Sequence, residues 1–236
     1  MKTKLSLLSL ALIGAFSSSL FAASVAITYD FDSLRKNGGA VLTTSCVAIM
    51  VADSDGDGIL PTATELAGIS LTNGTIIGGT DETNGDRIFS ASLTGSVAYG
   101  PPNLAGAITV DFTANGIETG GGTIWGLYWF PTISTLSTTL TVGTSYGFFH
   151  SAVADLAAAA VSGQSVTPML FPADGGATAI NVFYYDSKVV TDAGKTPTAN
   201  TPTNGNFTAS YSVIPEPTTL TLTALAALGL LRRRRA

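Results

Sequence analysis

The sequence predicts an all-β fold: one antiparallel β-sandwich or jelly-roll-like domain with a single short helix, flanked by an apolar segment at each end. Three observations carry this. Short runs of β-branched and aromatic residues recur along the chain, each bounded by Gly, Asn, Asp or Pro. Thr, Ser, Gly and Ala dominate the central region, and long apolar patterns of period 3.6 are rare there. Of the 236 residues, 45% are hydrophobic and 11% charged, too apolar for disorder and enough for one sizeable core.

In chain order, residues 1–23 have the layout of a secretory signal peptide. Lys2 and Lys4 form a short positive region, residues 5–16 are apolar, and a small-residue stretch with Ala22 and Ala23 follows. A retained membrane anchor is the alternative. The body, 24–213, is expected to hold strands over 25–31, 41–51, 70–77, 87–97, 107–112, 123–130, 138–142, 145–150, 179–185 and 207–213. Turn signals separate them at Asn37-Gly38-Gly39, Gly78-Gly79, Asn84-Gly85, Pro101-Pro102, Asn115-Gly116, Gly120-Gly121-Gly122 and Gly175-Gly176. Residues 151–161 are alanine-rich, with Ser151 placed as an N-cap and Gly163 as a C-cap, which predicts the one helix. Residues 191–206, rich in Thr, Pro, Asn and Gly, read as a long loop or linker. Phe207, Ala209, Tyr211 and Val213 then alternate with polar residues, the period of a last strand.

Charge narrows the function classes. With 11 Lys+Arg against 16 Asp+Glu, the net charge is −5. A nucleic-acid binder needs a basic face to displace counterions from phosphates, so that class is excluded. A single histidine, His150, leaves little room for imidazole-based catalysis.

The most informative local run is Asp53-Ser54-Asp55-Gly56-Asp57-Gly58-Ile59. Carboxylates at alternate positions let hard oxygens converge on one cation. Gly at the sixth position permits the sharp turn, and the Ile59 carbonyl is the next expected ligand. The run resembles the start of an EF-hand loop and the calcium loops of dockerins and thrombospondin type 3 repeats. It departs from them in having Pro61 at the ninth position and Thr64 at the twelfth, with Glu65 one residue late. Calcium is the expected cofactor, held by Asp53, Asp55, Asp57, Ile59 and Glu65. The expected affinity is that of extracellular modules, roughly 10⁻⁴–10⁻³ M. The alternative is a solvated turn. A second acidic group, Asp81, Glu82 and Asp86, lies around Asn84-Gly85. It reads as a polar hairpin turn, with further cation oxygens or a carboxylate pair for acid–base work as the alternatives.

Other candidates are weaker. Ser33-Leu34-Arg35-Lys36 matches S-x-x-K, but the S-D-N and K-T-G elements of serine acyltransferases such as β-lactamases do not occur. Cys46, the lone cysteine, sits in a strand pattern and has no intramolecular disulfide partner. Trp125, Tyr128, Trp129, Phe130, Tyr146, Phe148 and Phe149 suggest either a sugar-stacking face or a strand covered on both sides. The alternation of Trp125, Leu127 and Trp129 with Ile124, Tyr128 and Phe130 makes both faces apolar and favours core.

The C-terminal segment, 214–236, has three parts. Pro215-Glu216-Pro217 comes first, then 14 uncharged residues over 218–231, then Arg232, Arg233, Arg234 and Arg235 before Ala236. As a helix, 218–231 reaches about 21 Å, short of a ~30 Å hydrocarbon core, and the arginines stand where the positive-inside rule places a cytoplasmic flank. This arrangement resembles the PEP-CTERM sorting signal. The resemblance covers about the last 23 residues. It implies export across the inner membrane of a Gram-negative bacterium and a transient transmembrane helix. It also implies removal of the tail by an exosortase, a membrane transpeptidase, and delivery to the cell surface or a biofilm matrix rich in exopolysaccharide. A plain C-terminal anchor is the alternative. Removing Lys2, Lys4 and the four arginines lowers Lys+Arg from 11 to 5, so against 16 acids the mature body carries −11. The resulting expectation is a non-enzymatic surface or matrix protein with a structural or adhesive role. A carbohydrate-binding module acting on exopolysaccharide is the alternative, and a hydrolase ranks third.

Overall fold

The computed structural model describes residues 24–32, 34–40, 42–58, 60–79, 85–95, 104–117, 122–150, 167–172, 177–185 and 209–214. These residues form nine strands in two sheets. In the smaller sheet β1 (Ser24–Asp32) lies between β5 (Leu104–Asp111) and β8 (Ala179–Tyr185). The larger sheet has the order β3-β4-β2-β6-β7-β9, with β2 at Val47–Ala52, β3 at Ile76–Ile77 and β4 at Asp86–Leu93. It continues with β6 at Trp125–Phe130, β7 at Ser145–Phe149 and β9 at Tyr211–Ser212. The all-β expectation holds among the described residues, and two sheets facing across one core are consistent with a sandwich. No described helix is long and apolar enough to cross a membrane. The helix expected at 151–161 and both terminal segments lie outside the described residues.

Two apolar layers flank the larger sheet. The first lies between the sheets and gathers Val25, Ile27, Tyr29 and Phe31 of β1 with Ala48, Met50 and Ala52 of β2 and Trp125, Leu127 and Trp129 of β6. The second lies on the opposite face and holds Val47, Ile49 and Val51 of β2 and Tyr128 and Phe130 of β6. The loop residues Leu66, Leu71 and Leu140 cover it. Every residue of β2 and of β6 is therefore buried, which is why VAIMVA and WGLYWF contain no polar alternation. The two central strands are covered on both sides, as the apolar alternation in β6 predicts.

Trp129 and Tyr128 place their polar ends on backbone carbonyls, whereas the buried Trp125 Nε1 has no hydrogen-bond partner among the described residues. Trp129 Nε1 donates to the Arg35 carbonyl at 2.9 Å, and Tyr128 Oη donates to the Pro61 carbonyl at 2.9 Å. The Trp129 indole packs against Gly147 of β7, its cross-strand partner. A Cβ on Gly147 would collide with Cζ2 and Cε2 of the Trp129 ring. Gly147→Ala is therefore expected to lower stability by about 1–3 kcal/mol through overpacking, read as a lower thermal midpoint with native circular dichroism retained.

Three features differ from the sequence expectation. First, β1 pairs with β8 in parallel, from Ala26↔Ala179 to Asp32↔Tyr185, so the sandwich is not wholly antiparallel. Such a pair needs a long crossover, here the chain from β2 to β7. Second, the strands expected over 70–77 and 138–142 shrink to β3 and an isolated Ser70↔Thr139 bridge. Both segments instead hydrogen-bond to each other (Leu140 N to Ile69 O, 2.8 Å; Leu71 N to Thr138 O, 3.0 Å) and close the outer layer. Third, the register between β2 and β4 shifts at Met50/Val51, leaving Phe89 as an extra residue. This bulge sends Phe89 into the first layer while Ile88 stays in the second. It lies three residues from Asp86, where β4 begins.

Candidate metal centre

The carboxylate loop starts where β2 stops. Asp53 N still donates to Ile124 O at 3.0 Å, so the first loop residue remains anchored to the β6 side of the sheet. Asp53 and Ser54 are buried. The Asp53 carboxylate organises the turn: Oδ1 accepts from Asp57 N at 3.1 Å and Oδ2 from Gly58 N at 2.9 Å. Asp55 Oδ1 also faces Asp57 N, at 3.3 Å. Gly58 closes the turn at φ +79°, a left-handed conformation that the sixth loop position demands and that glycine adopts without a Cβ penalty. Each of Asp53, Asp55 and Asp57 offers one carboxylate oxygen, and these oxygens lie within 4.8 Å of one another. The three-carboxylate arrangement expected from their spacing is thus present, and it is fit to hold a metal ion. Ile59 lies outside the described residues.

Glu65 reaches the same place from the next segment. Thr62-Ala63-Thr64-Glu65 forms half of a capping box: Glu65 Oε2 accepts from Thr62 N at 2.8 Å and from Thr62 Oγ1 at 2.9 Å. Its other oxygen, Oε1, lies 2.9 Å from where a Cβ on Gly78 would sit. One residue late in the loop pattern, Glu65 nevertheless faces the cluster.

Asp86 completes the group from across the sheet. Ser54 Oγ donates to the Gly85 carbonyl at 2.5 Å, drawing the start of β4 against the loop. Asp55, Asp57, Glu65 and Asp86 then line one pocket of about 120 Å³, closed by Ile77, Gly78 and Gly85. None of these lining residues is basic. Asp86 is only 7% exposed, and its Oδ1 has no hydrogen-bond partner among the described residues. Burial first, then the facing charges of Asp53, Asp55, Asp57 and Glu65, push its carboxyl up from 3.8 to about 8. Burial also raises Asp53, against the hydrogen bond from Gly58. Asp86 stands at the β4 end of the β3–β4 hairpin, opposite Ile77, and is an interior carboxylate there. Asp81 and Glu82 lie outside the described residues.

The chain matches no family model, no curated protein and no solved structure. The chemistry of the remaining candidates therefore rests on their geometry. Trp125 and Trp129 are fully buried and Tyr128 nearly so, which removes the sugar-stacking face and leaves the core role. Cys46 is buried beside Thr94, and burial pushes its thiol up to about 11, the opposite of nucleophile activation. His150 Nδ1 lies 3.3 Å from the Trp125 carbonyl, and burial lowers its basicity. In the S-x-x-K segment Ser33 is outside the described residues, and Arg35 is buried with Nη1 donating to Gly39 O at 2.7 Å.

Proposed function

We propose that this chain is an exported, non-enzymatic protein of the cell surface or extracellular matrix. On this reading, its β body is cargo between a signal peptide and a PEP-CTERM tail. The observation that carries the reading is the pairing of the Lys2/Lys4 apolar leader with Pro215-Glu216-Pro217, the uncharged 218–231 segment and Arg232 to Arg235 in one chain. The position of the last packed residues supports it. β9 pairs with β7, Val213 is buried, and Ile214 N donates to Ala63 O at 3.1 Å, so the described body is packed up to the residue before Pro215. The tail's processing partner is an exosortase, and the host matrix is exopolysaccharide. The inactive setting of Cys46 and the structural contact of His150 support a non-enzymatic role. Within the body, the Asp53–Asp55–Asp57 loop binds calcium and pins the end of β2.

The test is intact-mass analysis of the extracellular form from an exosortase-bearing Gram-negative host, beside an exosortase-deletion strain. The expected mature chain lacks both the leader and the four arginines, and the deletion strain keeps the tail in the membrane fraction. An extracellular form still ending in the arginines, or a cytosolic chain that begins at Met1, overturns the proposal.

A further inference from the structure

We propose that Asp86 is the interior ligand of the calcium site, and that with Glu65 it joins Asp55 and Asp57 around one pocket behind which Asp53 organises the loop. This rests on the calcium reading of that loop and extends it to residues outside any loop motif.

Two independent observations carry the assignment. The first is convergence: three segments, 53–58, 62–65 and 85–86, bring Asp55, Asp57, Glu65 and Asp86 to a single pocket with no lysine or arginine among its described lining residues. The second is Asp86 itself, more than nine-tenths buried, lining that pocket, with an oxygen that has no donor among the described residues. A buried carboxylate without a partner is costly, whereas a cation supplies both counter-charge and coordination. The donor set consists of hard oxygens only. That suits calcium or magnesium and gives nothing to the nitrogen- and sulfur-preferring metals. Calcium takes six to eight oxygens in flexible geometry, which carboxylates from separate segments plus water can satisfy. Magnesium demands a near-ideal octahedron.

The placement assigns the ion a mechanical role. The Asp53 loop leaves β2, Asp86 opens β4, and the two strands are hydrogen-bonded neighbours. An ion held between them clamps the end of the β2–β4 ladder and ties down the segment that covers the outer layer. With Asp86 and Glu65 added, the ligand charge exceeds that of a short acidic loop, and the expected dissociation constant falls below about 10⁻⁴ M.

The experiment titrates the chelator-stripped secreted protein with CaCl₂ by calorimetry, and with Tb³⁺ by luminescence excited through the aromatic side chains, calcium being the competitor. The expected result is one ion per chain, a raised thermal midpoint and selectivity for calcium over magnesium. Asp86→Asn keeps the side-chain shape and relieves charge repulsion, so its metal-free form is expected to melt no lower than the parent. It is expected to lose calcium affinity at least tenfold, and Glu65→Gln less. Calcium binding unchanged by Asp86→Asn overturns the assignment of Asp86 while leaving the Asp53–Asp55–Asp57 reading standing. No binding by the parent chain at millimolar calcium overturns both.

Discussion

Trp129→Ala is expected to cost about 3–5 kcal/mol, a large part of the roughly 5–15 kcal/mol that holds a domain of this size together. The indole is fully buried between the sheets, where it packs on Gly147. Because Gly147 has no side chain to move into the vacated space, the cavity cannot collapse from below. The lost Nε1 donor matters less: the Arg35 carbonyl also accepts from Ala209 N at 3.1 Å and keeps one partner. Trp129→Phe, which retains most of the ring volume, is expected to cost less than half as much. Urea denaturation checks both, with the midpoint falling and the slope unchanged. An alanine variant with the parent's midpoint would place the indole outside the core and reopen the sugar-stacking alternative.

The contrast between Trp129 and Asp86 shows what was legible in the sequence. β6 could be read because its signal is local: apolar residues on both faces of a six-residue run mean cover on both faces, whatever provides it. The Asp53 loop could be read for the same reason, since three carboxylates at alternate positions before Gly58 converge through the turn they create. Asp86 carries no such signal. Its burial comes from Ser54 reaching Gly85 across 31 residues, a contact that no spacing announces. The parallel pairing of β1 with β8 was equally hidden, because a crossover leaves no turn signature between the strands it joins. The 70–77 and 138–142 segments have strand composition, yet Ser70 and Leu71 pair with Thr138 and Thr139 over the outer layer, and only 74–77 reaches β4. Period and turn chemistry reveal what a segment does to itself. The pocket depends on what distant segments do to one another.

In the presence of chelator, the protein is expected to become more stable as pH falls from about 8 to about 5, the reverse of ordinary acid denaturation. Asp86 determines the sign. Its carboxyl titrates near 3.8 in an unfolded chain and near 8 in the folded one, because burial and four facing carboxylates disfavour its charge. Between those values the folded state binds the extra proton, so stability declines as pH rises through the window and returns on acidification. At about 1.4 kcal/mol per unit, the change over this range is on the order of 3 kcal/mol. Burial shifts Asp53 in the same direction. His150 opposes it: with its folded basicity lowered by burial, it withdraws stability as pH drops below its ordinary value of 6.5. The remaining lining acids, Asp55, Asp57 and Glu65, supply the field that makes Asp86 costly to ionise. Urea midpoints at several pH values in chelator measure the slope, and Asp86→Asn is expected to flatten it. A parent chain that loses stability steadily from pH 8 to pH 5 would show that Asp86 is ionised and compensated in the folded state. The pocket would then hold a counter-charge other than a metal ion.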